Sequence, residues 1–147
     1  MSHAFPPAHP LDDDKLREER GVVGVADASN FVALGLHALQ NRGKEAGGIV
    51  THDFETGFNQ QRRMGLVHDN FTSPNMMASL SGPIAIGHVQ YSTAGTKGQT
   101  AMRDVQPFFG EFSMGGAAIA HNGNITNADA LRRELIERGS IFQSSST

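Results

Sequence analysis

The run Gly115–Asn127, GGAAIAHNGNITN, places the tightest constraint on how this chain folds. Ala117–Ala120 is short and apolar and reads as a buried strand. It meets a polar turn, His121-Asn122-Gly123-Asn124, and a helix-start signal at Thr126-Asn127 follows directly. Two groups in that turn are suited to holding negative charge on an oxygen: the carboxamide N–H of Asn122 and the backbone N–H of Gly123, where no side chain blocks close approach. The same pair is also the commonest tight-hairpin signal, and on this stretch alone a plain turn is the favoured reading. A second stretch, Gly87-His88-Val89-Gln90-Tyr91-Ser92-Thr93-Ala94-Gly95, shifts the balance.

Composition narrows the classes. A chain of 147 residues, 38% hydrophobic and 18% charged, can bury a core and has the size of one domain or part of a larger protein's first domain. The net charge of -3 comes with no basic stripe, which argues against nucleic acid as the main partner. There is no apolar run long enough to span a membrane and no hydrophobic leader, so a soluble, cytoplasmic protein is expected. Cysteine is absent, which excludes disulfides, thiolate metal sites and thiol nucleophiles. The 17 glycines point to tight turns and close backbone approaches, as in a sheet-rich fold.

Taken in order, residues 1–19 carry Pro6, Pro7, Pro10 and the run Asp12–Asp14, and read as a disordered, leader-like tail. Its last part, from Lys15 into Arg20, is a helical turn or simply solvated. Gly21–Ala26 is a strand candidate. Ser29 or Asn30 can cap a helix over Phe31–Gln40, with Val32, Leu36 and Leu39 on one face and Gly43 as its stop. Ala33, Leu34 and Ala38 make its other sides apolar, which predicts burial in a layer with His37 as a satisfied buried histidine. Ala46–His52 and Phe58–Met64 are further strands, and a short helix is expected near Met76-Met77. Pro83–Tyr91 is the clearest strand, and Thr93–Gln106 reads as a surface loop. Phe108–Phe112 and Gly115–Ala120 look like an antiparallel pair. Asn127–Arg138 is an amphipathic helix with Ala128, Leu131 and Leu135 on one face, closed by Gly139. No punctuation marks Ser144–Thr147, so the fold is expected to be incomplete at that end. Strands with few βαβ alternations predict an α+β fold, an antiparallel sheet with helices on its faces.

Gly87–Gly95 and Ala120–Asn127 together bring out a resemblance. The chain resembles the glutaminase domain of amidophosphoribosyltransferases, a class II glutamine amidotransferase domain, in four ordered segments. These are Leu16–Val25, Ala38–Ile49, Gly87–Gly95 and Ala120–Asn127, and the match runs on through LRRELIERGSIFQSSS. The resemblance implies an N-terminal-nucleophile hydrolase fold, an αββα sandwich of antiparallel sheets flanked by helices, over residues 20–147. It implies release of ammonia from glutamine to make phosphoribosylamine, the first step of purine synthesis. The family's nucleophile is an N-terminal cysteine freed by leader removal, whose own α-amino group is the base. Asn122 and Gly123 match the oxyanion turn, and Arg42 matches the arginine that shapes the nucleophile's surroundings. Gln90 matches the arginine that binds the substrate carboxylate, and Thr93 lies in the same substrate-binding segment.

Three departures fall on that chemistry. Arg20 occupies the nucleophile position, and a guanidinium is always protonated and cannot attack an amide. Gln90 supplies no charge to a carboxylate, a loss of about 1.5–3 kcal/mol. The family's aspartate for the substrate ammonium follows the SIFQS-type segment, beyond Thr147. Asn41 and Lys44 are milder changes around Arg42. These departures predict a degenerate, inactive glutaminase domain without the phosphoribosyltransferase domain, whose Mg2+ would have no place here, and no cofactor or metal is expected. The alternatives are a non-catalytic glutamine-binding or interaction module, acting as a homo-oligomer or paired with a full-length homologue, the glutaminase domain of another class II amidotransferase, or a fragment that folds poorly. A metal hydrolase built on His88, His121 and Asp104 lacks any short ligand spacing.

Overall fold

The computed structural model describes residues 20–26, 29–39, 45–90, 102–123 and 125–144. The tail over 1–19, Gly43 as a helix stop and most of the loop expected over Thr93–Gln106 lie outside the described residues. The elements run β1 (Arg20–Ala26), α1 (Ser29–Leu39), β2 (Ala46–Asp53), β3 (Gly57–Met64), α2 (Val67–Asn70), α3 (Pro74–Ala78), β4 (Ile84–Gln90), β5 (Phe108–Phe112), β6 (Gly115–Ile119) and α4 (Ala128–Glu137). Among the described residues every strand and helix expected from the sequence is present; α2 and a single 3-10 turn over Met102–Asp104 were not foreseen, and the helical turn considered from Lys15 lies outside the described residues. Four strands form one antiparallel sheet in the order β1-β4-β2-β3, and β5 and β6 form a separate hairpin. The class is α+β. Among the described residues no helix is long and apolar enough to cross a membrane.

β4 is central because its sequence is apolar on both faces, and β1 and β2 flank it. α1 lies across one face. Val32 and Leu36 sit so close to Gly87 that a Cβ there would stand 2.6 Å from Val32 and 2.7 Å from Leu36. The buried core, Val32, Leu36, Ile49, Val67, Phe71, Leu80, Ala85 and Val89, fills the space between α1, the sheet and the α2–α3 turn. Burying each large aliphatic side chain there contributes about 1.5–3 kcal/mol.

The other sheet face takes the segment Val105–Pro107 and the β5–β6 hairpin. Successive side chains of a strand point to opposite faces, so Gly48, Gln60 and Arg62 share the face away from α1. The Gln106 carbonyl lies where a side chain at position 48 would be. Arg62 Nη1 donates to the Val105 carbonyl at 3.2 Å, and Gln60 Nε2 donates to the Pro107 carbonyl at 3.0 Å. The Phe58 and Phe109 rings stack 4.9 Å apart over Gly116, whose missing side chain leaves room for both.

Three expectations are corrected. The α1 helix is not buried all round, since Phe31 and Leu34 are each 62% exposed. His37 is exposed on its rim, its ring 5.3 Å from that of His68. The strand at Ala117–Ala120 is not buried either: β6 is an exposed edge with Ile119 largely in solvent. On α4, Leu131 and Leu135 share a face as expected but stay partly exposed. Asn127 takes the N-cap position of α4 without a side-chain capping bond. The other end follows the expectation. Gly139, at φ +91°, donates to Ile136 O, and Ser140 donates to Leu135 O, the paired bonds of a Schellman stop.

Two outcomes test this architecture. Gly48→Ala drives a methyl group into the Gln106 carbonyl, whose neighbours at Val105 and Pro107 are held by Arg62 and Gln60, and should cost about 2 kcal/mol in urea unfolding. The β2–β3 turn is held by Asp53, whose carboxylate accepts from Glu55 N–H at 2.8 Å and Thr56 N–H at 3.1 Å. Those bonds, that from Glu55 first, hold the carboxyl below its ordinary value of 3.8. A carboxyl held low in the folded state adds stability that is full above its unfolded pKa and lost as pH falls through the folded one. The chain should therefore be less stable in acid, and Asp53→Asn should remove that part of the loss when urea midpoints at neutral and acid pH are compared.

Candidate functional site

The residues singled out by sequence sit at one end of the four-stranded sheet and on the turn after β6. At the sheet end the register sets Arg20 of β1 directly across from Gln90 of β4, and Ala46 of β2 across from Gln90 on the other side. Glu45 N–H donates to the Gln90 carbonyl at 3.2 Å, and Gly65 N–H donates to the Glu45 carbonyl at 2.7 Å, so three strands are stitched together at this rim. Gln90 is only 6% exposed, and its Oε1 has no hydrogen-bond partner among the described residues. A buried carboxamide oxygen left so is costly, of the order of 1–3 kcal/mol, and stands ready for a donor. Two residues back on the same face, His88 is fully buried.

Asn122 and Gly123 lie beyond β6, exposed, on a turn whose first residue is tied down: His121 N–H donates to Gln106 Oε1 at 2.6 Å. Gly123 has φ +156°, and a Cβ on it would stand 3.1 Å from His121 Nε2. The His121 ring thus occupies the side-chain space of position 123, which leaves a backbone N–H open to close approach on the far side.

One intermediary joins the two parts. The Gln106 carbonyl rests on Gly48, and Gly48 pairs with His88, two residues before Gln90 on the same face. Arg20 and Gln90 are therefore neighbours, and the Asn122–Gly123 turn is tethered to the same sheet face through Gln106. Arg42 and Thr93 lie outside the described residues. Sequence reading missed Gln106, Gly48, Gln60 and Arg62. It placed Gln106 in a surface loop, yet Gln106 is buried, and no local pattern marks a glutamine whose partner is fifteen residues away. Asp104 accepts from Ser144 Oγ at 3.0 Å, and among the described residues no group of three His, Cys, Asp or Glu side chains could hold a metal ion. A groove of about 330 Å³ between α1 and α2–α3 is lined by Leu34, His37, Val67, His68 and Phe71, on the opposite side of the sheet from the turn.

Similarity to known proteins follows this geometry. No family model matches the chain. It is 55% identical to an amidophosphoribosyltransferase of Rhizobium etli over 99% of its own length and 29% of that protein. It is 44% identical to an amidophosphoribosyltransferase of Lacticaseibacillus casei over 93% of its length and 70% of that protein. The chain belongs to the amidophosphoribosyltransferase family. A solved structure, the glutamine phosphoribosylpyrophosphate amidotransferase from B. subtilis complexed with ADP and GMP, superposes on 86% of the chain with a TM-score of 0.70 at 36% identity. The N-terminal-nucleophile-type fold expected from the sequence is thus the fold of a solved family member. The chain spans 26% of that structure's chain and 29% of the Rhizobium relative, under a third of either amidophosphoribosyltransferase.

The contact that seats the turn on the sheet can be tested directly. The Phe58 ring lies 4.4 Å from His52 and 4.9 Å from Phe109 and bridges the sheet to the hairpin. Phe58→Ala should cost about 2 kcal/mol, below the range for a fully buried ring because Phe58 is half-buried. Hydrogen exchange in β5 and β6 should rise more than in β2 and β4.

Proposed function

We propose that this chain is a glutaminase-type domain that keeps the donor turn for a glutamine carboxamide but lacks the group that would attack it. In the family's chemistry the nucleophile and the carboxylate-binding arginine act on one substrate glutamine. The observation that carries the reading is the ladder pair Arg20–Gln90, because it puts both replaced positions on a single rung. An arginine at position 20 offers no nucleophile at any accessible pH. A glutamine at position 90 accepts a hydrogen bond where the family's arginine would donate two to a carboxylate. What remains is Asn122 with Gly123, a pair of donors suited to an oxyanion or a carboxamide oxygen. On this reading glutamine is held weakly and left intact, and residues 20–147 form the glutaminase-type part.

The decisive experiment is an ammonia-release assay on glutamine. The unaltered chain should release none above background. Arg20→Cys alone should release none, because with Gln90 in place the substrate carboxylate is unheld. Removal of residues 1–19 together with Arg20→Cys and Gln90→Arg should begin to restore release, since covalent chemistry needs the nucleophile's free α-amino group as its base. Turnover by the unaltered chain would overturn the proposal, because another residue would then be the nucleophile.

A further inference from the structure

The β5–β6 ladder pairs Phe108 with Ile119 as its last rung. Carried two residues further, the same register would set Gln106 opposite His121. The ladder ends at Phe108–Ile119, and Gln106 and His121 lie beyond both strands. In place of a backbone acceptor, the Gln106 side chain bends across, and its Oε1 takes the His121 N–H at 2.6 Å. The base of that side chain is fixed from three sides. Arg62 holds the Val105 carbonyl, Gln60 holds the Pro107 carbonyl, and the Gln106 carbonyl rests on Gly48. Gln106 itself is 3% exposed, so its carboxamide has little freedom to swing away.

From this we infer that Gln106 is the positioning residue of the Asn122–Gly123 turn. It ties the first residue of the turn to the second sheet face, beyond the last rung of the hairpin. The contact places the turn over the sheet face that carries Gly48, with His88 beside it on β4 and Gln90 two residues further on. The functional meaning of this contact rests on the proposed role of the turn; the contact itself does not.

The test uses the unaltered chain and two variants, followed by NMR. In the unaltered chain a through-bond coupling should connect the His121 amide nitrogen with the side-chain carbonyl carbon of Gln106. Gln106→Met keeps the length and removes the acceptor. It should speed exchange of the His121 amide about five- to tenfold, the loss of one ordinary hydrogen bond, and broaden or shift Asn122 and Gly123. The amides of Val50 and Val89 should hold their protection. Gln106→Glu keeps an acceptor at the same place and should bring His121 exchange back to within about threefold of the unaltered chain. Unchanged His121 exchange in Gln106→Met, or an equal rise at Val50 and Val89, would overturn the inference by making Gln106 irrelevant or merely structural. If Gln106→Met does not fold, the coupling in the unaltered chain decides alone, and its absence overturns the inference. None of these readouts uses glutamine. A chain that binds no glutamine would therefore overturn the proposed function and leave the result on Gln106 standing.

Discussion

The seating of one backbone carbonyl on one glycine sets the arrangement of everything on the second sheet face. Gly48 has no side chain, so the Gln106 carbonyl lies directly on the sheet, and Arg62 and Gln60 secure the carbonyls on either side of it. From that anchored segment the chain leaves into β5, returns in β6 and is tied back by the Gln106 side chain. The aromatic contact of Phe58 with Phe109 repeats the same logic further along, with Gly116 as the position left open. Apolar packing dominates the α1 side, where Val32 and Leu36 meet Gly87. Polar contacts to backbone dominate the hairpin side. The asymmetry follows from what each face must do, because a helix buries a stripe of side chains while an exposed hairpin must satisfy the carbonyls it covers.

The departures from the amidophosphoribosyltransferase pattern take on a simpler form in the folded chain. Arg20 and Gln90 are seventy residues apart in sequence and one rung apart in the sheet. Two changes that look independent along the chain fall at one spot, beside a buried carboxamide oxygen with no partner among the described residues. The turn that would hold a substrate oxygen lies apart from them, secured by residues that carry no chemistry of their own. The Arg20–Gln90 rung and the supports of the turn share a face but no hydrogen bond among those described.

Much of this was legible in the sequence. Apolar runs marked the strands other than the more polar β3, and Gly139 marked the end of α4, because such signals act over a few residues and need no distant partner. The motifs at Gly87–Gly95 and Ala120–Asn127 pointed to the family that the comparison with relatives then established. What the patterns could not report is cover. Ile119 and Leu34 are apolar at the expected places and yet largely exposed, and Leu131 and Leu135 share a helix face that is only partly buried. Periodicity shows which residues lie together; whether another layer rests on them is a property of the assembled chain.

The sequence by itself determined the elements and the α+β class, because the apolar runs and turn signals behind them act over a few residues. Tertiary structure alone decided three things: that Arg20 and Gln90 share a rung, that Gln106 is buried rather than part of a surface loop, and that its side chain ties His121, at the start of the Asn122–Gly123 turn, to the sheet. The physical reason is range. Propensity, capping and ionisation are set within a turn or two of chain, whereas register and the close approach of a carbonyl to a glycine exist only once strands far apart in sequence have paired.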